Sequence, residues 1–280
     1  MILLVESGAT KGDWRVISKD GTEVRRLTAG GTNVSAMNMD TIRQVISDAC
    51  RQIAAEGISE IYFYTAGVVT EQIAQQLTHA LKSFFPDAVC DIQNDLTAAA
   101  RAVCGRSKGI AAILGTGSNS CLFDGEKIIQ RVYSCGYILG DEGSAATLGK
   151  LFIADFLKGL VPEHIAKDFA SRYECDYATI VEKVYRSKES PSGYLGSFAP
   201  FILEHYKDAY IQELVDGNFR AFIRRSLKQY DTESYPVGVV GGFGYALQDI
   251  FGKVAREEGV KVSGFIKTPI EGLVSYHLEK

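Results

Sequence analysis

The feature of this sequence that most constrains its fold is a strand and loop pattern that occurs twice. In residues 2–27, an apolar run typical of a buried strand is followed by a loop of small residues and by two further strand candidates. Residues 109–132 repeat this order, and the loop Gly115–Asn119 stands where Glu6–Thr10 stands in the first copy. The pattern predicts an internal duplication of a β-meander, not a short-period solenoid.

Alternating helices and strands follow the first meander. Apolar residues at helical spacing predict a helix over 39–56, with Gly57 as its stop. A strand, a helix, a strand and a helix are then predicted at 61–67, 70–85, 88–93 and 95–104. The first copy therefore has the order βββαβαβα.

The second copy has a long helical insertion, at about 142–230, before its sheet resumes at 237–242. A helix, a strand and a final helix are predicted after it, at 245–256, 260–265 and 269–279. We expect an α/β fold with an N-terminal lobe, 1–106, and a C-terminal lobe, 107–280, and a ligand-binding cleft between them. The final helix is expected to pack back on the N-terminal lobe.

The composition excludes several classes of function. The chain is 46% apolar and 23% charged, as in soluble globular proteins, and its net charge of −4 argues against a nucleic acid partner. We find no signal-peptide pattern and no apolar run long enough to span a membrane, so we expect a cytoplasmic protein. The six cysteines form no C-x-x-C pair, which favours reduced thiols over a zinc site or an iron–sulfur cluster.

The two duplicated loops have the composition of a phosphate cradle. Small residues in a turn between strands let backbone N–H groups approach an anion, and the hydroxyls of Ser7 and Thr10 add donors. Either loop alone would be interpreted as an ordinary hairpin turn. One such loop in each lobe could instead hold a polyphosphate from both sides.

A third Gly-rich turn lies in GVVGGFGYALQDIF, residues 238–251, where a strand meets a helix. Its glycines are typical of a strand-to-helix connection with a tight bend. A nucleotide also commonly lies where a strand ends and a helix begins, so the turn is a candidate nucleotide contact as well.

Two pairs of polar residues stand at predicted helix starts. Asp95, after Asn94, could cap its helix, or it could accept a proton from a substrate hydroxyl. Asp141 and Glu142 lie between glycines, where they could be partners of the helix dipole or contacts to substrate or metal.

With these segments placed, the chain resembles the sugar kinase, heat-shock ATPase and actin superfamily. Within it, the chain resembles the BadF/BadG/BcrA/BcrD ATPase family, which includes N-acetylglucosamine kinases. ESGATKGDW resembles the first phosphate motif of that family, ILGTGSNS the second, GDEGSA its most distinctive segment and GGFGYAL its adenosine motif. The resemblance covers nearly the whole chain. It implies two RNase H-like lobes and transfer of the γ-phosphoryl group of ATP, with Mg²⁺, to a sugar hydroxyl.

Matching positions imply roles for single residues. Asp95 would be the catalytic base, and Glu6, which stands where most relatives have Asp, would bind the hydrated Mg²⁺. The residues implied at the nucleotide are Ser7, Gly8, Ala9, Thr10, Lys11, Gly115, Thr116, Gly117, Ser118, Gly241, Gly242 and Phe243. Those implied at the sugar are Thr32, Asn33, Asn94, Asp95, Asn119 and Asp141. Gly12 departs from the Thr or Ser usual in relatives, and Cys135 falls about where certain relatives have a sugar-stacking Trp.

The leading hypothesis is an ATP-dependent amino-sugar kinase that makes N-acetylglucosamine 6-phosphate. Glucosamine and N-acetylmuramic acid are alternative substrates. Other members of the family activate radical dehydratases through an iron–sulfur cluster, and a sugar-sensing protein without catalysis is a third hypothesis. Helices of the insertion could carry a homodimer interface.

Overall fold

The computed structural model describes residues 1–8, 11–34, 37–187 and 190–279, without the side chain of Ala55. It divides into two compact units. The first unit comprises residues 1–108, 123–128 and 268–280, and the second comprises 109–122 and 129–267. Among the described helices, none has the length and apolarity needed to cross a lipid bilayer.

The first unit is built on a five-stranded sheet with the order β3-β2-β1-β4-β5. Its strands are β1 (Ile2–Ser7), β2 (Lys11–Ile17), β3 (Glu23–Gly30), β4 (Glu60–Thr65) and β5 (Val89–Gln93). β1 pairs antiparallel with β2 and parallel with β4, and β4 pairs parallel with β5. The helices that follow these strands are α1 (Met39–Ile53), α2 (Glu71–Lys82) and α3 (Asp95–Cys104).

Side chains on the two faces of β1 enter two different cores, because successive residues of a strand point to opposite faces. Leu3 and Val5 join the core formed with α1 and α2. Leu4 lies on the other face, in a cluster with Tyr64 of β4 and Ala98 of α3. By the same alternation, Glu6 lies on the α3 side of the sheet.

The second unit contains a sheet with the order β10-β9-β6-β7-β8. Its strands are β6 (Gly109–Leu114), β7 (Ser118–Phe123), β8 (Ile128–Val132), β9 (Val237–Val240) and β10 (Val262–Ile266). Read from β8, this order is the same as that of the first sheet. The predicted duplication of the meander is therefore confirmed by the strand order.

Helices fill the segment between β8 and β9, as the sequence predicts. They are α4 (Gly136–Leu139), α5 (Ala145–Leu157), α6 (Glu163–Arg172), α7 (Tyr177–Val181), a π-helix (Glu182–Arg186), α8 (Pro191–Gly196), α9 (Ala199–Glu204), α10 (Ala209–Arg225) and a 3₁₀ turn (Leu227–Gln229). After β9 come α11 (Gly242–Ala246) and α12 (Gln248–Glu257), so the helix predicted at 245–256 is two helices. The large core of this unit is rich in Phe, with edge-to-face pairs such as Phe152–Phe169.

The final helix, α13 (Ile270–Leu278), belongs to the first unit. Its Ile270 and Leu273 complete the cluster around Leu4. His277 stacks on the Tyr62 ring and shares a 2.6 Å hydrogen bond with the Tyr64 hydroxyl. Burial lowers the pKa of His277 to about 3, so this contact is made by a neutral imidazole.

Candidate functional site

In the first unit, the predicted site residues lie at the carboxyl edge of the sheet. Ser7, the last residue of β1, is in register with Thr65 at the end of β4, and β5 ends beside it. The first loop, residues 7–11, is closed by a 3.0 Å hydrogen bond from the Gly8 N–H to the Lys11 carbonyl. Ala9 and Thr10, which were also predicted to border the phosphates, lie outside the described residues.

Buried hydroxyl groups hold the first loop to the segment that follows β3. The Thr32 N–H donates to the Ser7 hydroxyl at 3.0 Å and is 3.2 Å from the Gly8 carbonyl. The Thr32 and Thr65 hydroxyls are hydrogen-bonded to each other at 3.0 Å. Ser7 is only 1% exposed, so its hydroxyl serves an internal contact here. The contacts predicted for Ser7 with phosphate and for Thr32 with sugar stay predictions. Asn33, directly after Thr32, is half-buried at the same edge.

Gly12, which departs from the family pattern, lies in a tightly packed position. A Cβ atom at this position would lie 3.0 Å from the Ser7 Oγ and 3.1 Å from the Trp14 Nε1. Contacts this short are tighter than real Cβ atoms usually make, so a Thr or Ser would require both neighbours to move. The buried position of Trp14 thus favours glycine at position 12.

The corner between β5 and α3 separates the roles of Asn94 and Asp95. Asn94 is the N-cap of α3, and its side-chain oxygen accepts hydrogen bonds from the N–H of Thr97 at 2.8 Å and from its hydroxyl at 3.1 Å. Asp95 is the first helical residue, half-buried, with one oxygen 2.9 Å from the Leu96 N–H. Asn94 is therefore the N-cap of α3, and the Asp95 carboxylate accepts one further N–H group of the first turn.

Glu6 lies in an acidic environment at this edge. Burial, together with the nearby carboxylates of Asp13 and Asp95, raises the pKa of Glu6 from 4.5 to about 7, and Lys11 acts in the opposite direction. Asp13, its cross-strand neighbour, is kept in place by ion pairs with Arg15 and Arg26. The Asp95 carboxylate therefore acts electrostatically on Glu6, and a cation near them would favour the ionised form of Glu6.

In the second unit, the second loop, residues 114–118, connects β6 to β7. The Gly115 N–H donates to the Gly117 carbonyl at 2.9 Å and closes the turn. The first N–H groups of α5 hold the loop: Ala145 donates to the Gly115 carbonyl at 3.0 Å and Ala146 to the Thr116 carbonyl at 3.1 Å. The N-terminus of α5 is therefore used to fix the shape of the loop.

Asp141 supports the second loop from the segment before α5. Its carboxylate accepts a 3.3 Å hydrogen bond from the Ser118 N–H and would lie 3.1 Å from a Cβ at Gly117. Asp141 is only 8% exposed, and burial raises its pKa while the Ser118 N–H lowers it. Its predicted sugar contact stays a prediction, as does that of Asn119, whose side-chain oxygen accepts from the Ser120 N–H at 3.0 Å.

Glu142, the second acid of this segment, forms a 2.9 Å ion pair with Arg225 at the end of α10. This pair links the start of the helical insertion to one of its last turns. The observed partner of Glu142 is thus a side chain of the same unit.

The Gly-rich turn 241–244 lies beside the second loop, because β6 and β9 are parallel neighbours and both end there. Gly241 has φ +126°, and a Cβ there would be 2.4 Å from the Leu114 carbonyl oxygen. Gly242 has open space around it, and the Phe243 ring is 5.8 Å from that of Phe219. The turn therefore brings the predicted adenosine motif to the edge that carries the second loop.

Thr65 and Asn218 each hold one of the predicted segments in place, and neither is recognisable as a site residue from the sequence alone. Thr65 gave no signal, since a Thr at the end of a strand is ordinary. Asn218 gave a weak one, because it stands in the apolar stripe of α10 beside Val215 and Phe219.

Comparison with known proteins identifies the family. No protein-family model matches the chain, and no curated protein matches it. Among solved structures, a candidate N-acetylglucosamine kinase from Porphyromonas gingivalis is 38% identical to it. The match covers 100% of this chain and 99% of that one, with a TM-score of 0.93. The chain belongs to the N-acetylglucosamine kinase-like family.

More distant structures share the fold of this family. A candidate N-acetylglucosamine kinase from Chromobacterium violaceum is 18% identical, over 99% of this chain and 98% of that one, with a TM-score of 0.77. A ROK family glucokinase from Streptomyces griseus, solved with glucose and AMPPNP, is 15% identical, over 98% and 97%, with a TM-score of 0.54. The predicted α/β, actin-like fold and the resemblance to N-acetylglucosamine kinases are confirmed.

Proposed function

We propose that this protein is an ATP-dependent sugar kinase, that its substrate is an amino sugar, and that N-acetylglucosamine is phosphorylated at the 6-hydroxyl. The first support is membership of the family, at 38% identity over the full chain. The observation that carries the chemistry is the β5–α3 corner, where Asn94 caps the helix and the Asp95 carboxylate raises the pKa of Glu6.

Asp95 is the general base of this proposal. Phosphoryl transfer requires positioning, stabilisation of charge and an acceptor for the hydroxyl proton. A carboxylate at the carboxyl edge of a sheet, next to the start of a helix, is suited to the last of these tasks. Asn33, after the buried Thr32, is proposed to orient the sugar from the same edge.

Magnesium fits the residues of the first unit. Across the described ranges, no group of three or more His, Cys, Asp or Glu side chains is arranged as a metal site. Mg²⁺ requires fewer protein ligands, because it usually keeps several waters and is bound through one or two carboxylates and substrate phosphates. Glu6 would hold it. When bound, the ion neutralises negative charge on the phosphates.

Besides the proposed nucleotide contacts of the first loop, Ser7, Gly8, Ala9, Thr10 and Lys11, the second unit supplies the others. Backbone N–H groups of the second loop face the phosphates in this proposal, and the turn 241–243 borders the adenosine. Asn119 and Asp141 are proposed to contact the sugar. The support is the common position of these segments at one edge of the second sheet.

The test is a screen of ATP consumption by the purified protein against N-acetylglucosamine, glucosamine, N-acetylmuramic acid and N-acetylmannosamine. The position of the phosphate is then determined by NMR of the product. We expect the highest kcat/KM for N-acetylglucosamine. Absence of turnover on every amino sugar would refute the proposal.

Asp95→Asn tests the base separately. We expect kcat to fall by a factor of about 10² or more, with sugar binding retained, because the variant cannot accept the hydroxyl proton. Asp87→Asn is the matched control, since it removes an exposed carboxylate just before β5 begins, at the opposite end of the strand. Unchanged turnover in Asp95→Asn would contradict the role of the residue.

A further inference from the structure

Helix α10 of the insertion carries a buried polar residue within its apolar stripe. Val215, Phe219, Phe222 and Ile223 of this helix lie in the core of the second unit. Asn218 lies among them and is only 3% exposed. A buried amide is costly unless its polar atoms are hydrogen-bonded, so its partners are informative.

Both polar atoms of the Asn218 side chain, its oxygen and its nitrogen, contact one turn, Asp141–Ser144. The side-chain oxygen accepts from the Gly143 N–H at 2.9 Å, and the side-chain nitrogen donates to the Ser144 carbonyl at 3.1 Å. Gly143 has φ +80°, and a Cβ there would be 2.7 Å from the Phe222 Cβ. The turn therefore packs against α10 and is hydrogen-bonded to it through the Asn218 side-chain amide.

The same turn fixes the second loop. On one side of Gly143, Asp141 accepts from the Ser118 N–H. On the other side of Ser144, Ala145 donates to the Gly115 carbonyl. Direct hydrogen bonds thus run from Asn218 to the turn and from Asp141 of the turn to one end of the loop, while Ala145, the residue after the turn, bonds to the other end.

Helix α10 also contacts the Gly-rich turn, because Phe219, the neighbour of Asn218, lies against Phe243. We propose that Asn218 is a positioning residue for the nucleotide, which holds the second loop in shape through the turn Asp141–Ser144. The proposal rests on the nucleotide role of this loop given above. It assigns to the helical insertion a function in ATP binding, besides any part in sugar specificity.

The test compares N218A and N218D with D216N. N218A leaves the Gly143 N–H and the Ser144 carbonyl without their partner, and N218D keeps an acceptor but turns a carboxylate oxygen toward the Ser144 carbonyl. Asp216 is a matched control on the same helix, since its partners are Tyr206 and Lys253 and not the turn. For each protein we measure KM for ATP, KM for the sugar, kcat, the Kd of a non-hydrolysable ATP analogue and Tm.

In N218A we expect kcat/KM for ATP to fall about tenfold or more and the analogue Kd to rise similarly, a change of about 1.4 kcal/mol. KM for the sugar should rise as well, because the same turn carries Asp141. We expect N218D to change in the same direction, and D216N to lower Tm without changing the two KM values.

The proposal is overturned if folded N218A keeps its analogue Kd within about twofold of wild type, or if D216N weakens nucleotide binding equally. If N218A does not fold, the analogue Kd of N218D is the deciding measurement. Loss of the fold in both variants overturns a specific positioning role. If the wild type binds the analogue but phosphorylates no sugar, the proposed function fails. The analogue Kd of the variants still decides the role of Asn218 in that case.

Discussion

Replacement of Glu6 by Gln should stabilise the first unit at alkaline pH and have little such effect at acidic pH. Burial and the neighbouring carboxylates of Asp13 and Asp95 raise the pKa of Glu6 from 4.5 to about 7. The folded state therefore retains a proton that the unfolded chain has already released in this range. Stability that is present below pH 4.5 is lost as the pH rises to about 7. At about 1.4 kcal/mol for each pKa unit, the loss is about 3 kcal/mol.

The chain offers a specific reporter for this measurement. Trp14 is its one tryptophan and is buried in the core of the first unit. Tryptophan fluorescence during urea unfolding therefore follows the unit that contains Glu6. For each pH, the quantity of interest is the free energy of unfolding of Glu6→Gln minus that of wild type. We expect this difference to be about 3 kcal/mol larger at about pH 8 than at about pH 4.5.

The control is Glu279→Gln, which removes an exposed carboxylate from the same unit and should show no such pH dependence. Addition of Mg²⁺ and ATP should shrink the difference between Glu6→Gln and wild type at high pH, because a bound cation stabilises the ionised carboxylate. An equal difference between the two proteins at both pH values would refute the electrostatic account of Glu6.

Three further outcomes are expected. Asn94→Ala should destabilise the first unit by about 1 kcal/mol, since it removes the cap of α3. The measurement is urea unfolding followed by Trp14 fluorescence, and an unchanged midpoint would contradict the capping role. Gly241→Ala should destabilise the second unit by several kcal/mol, since φ is +126° and the new methyl group would overlap the Leu114 carbonyl. A wild-type Tm would contradict this reasoning. Gly117→Ala should raise KM for ATP in steady-state kinetics with little change in Tm, because its Cβ would displace only the Asp141 carboxylate; an unchanged KM would argue against phosphate contact at the second loop.

The elements that the sequence predicted best are those whose signal is local. The duplicated meander follows from apolar runs and turn residues, and α3 begins and ends where the sequence placed it, at Asp95 and Cys104. The capping residue could not be chosen in this way, because Asn94 and Asp95 are both good N-caps. Their roles depend on the residue at which β5 ends, which is set by its pairing with β4.

Contacts between distant segments lay beyond the sequence analysis. The pair of Glu142 with Arg225 joins the two ends of the insertion, and no periodicity predicts it. Asn218 gave only a weak signal, its place in the apolar stripe of α10, because a single Asn in an amphipathic helix is usually solvent-exposed. A buried polar residue can be recognised as functional only once its partners are known.

The duplication makes the two loops comparable, and the comparison shows where they depend on different parts of the chain. The first loop is held by a short segment after β3, through Thr32 and the hydroxyls of Ser7 and Thr65. The second loop is held by the segment after β8, which leads into the helical insertion. Substitutions inside the insertion can therefore alter the second loop without touching a strand of its sheet. The equivalent change at the first loop acts on Thr32 itself or on the strand ends Ser7 and Thr65, all three of which are buried, so it also disturbs packing.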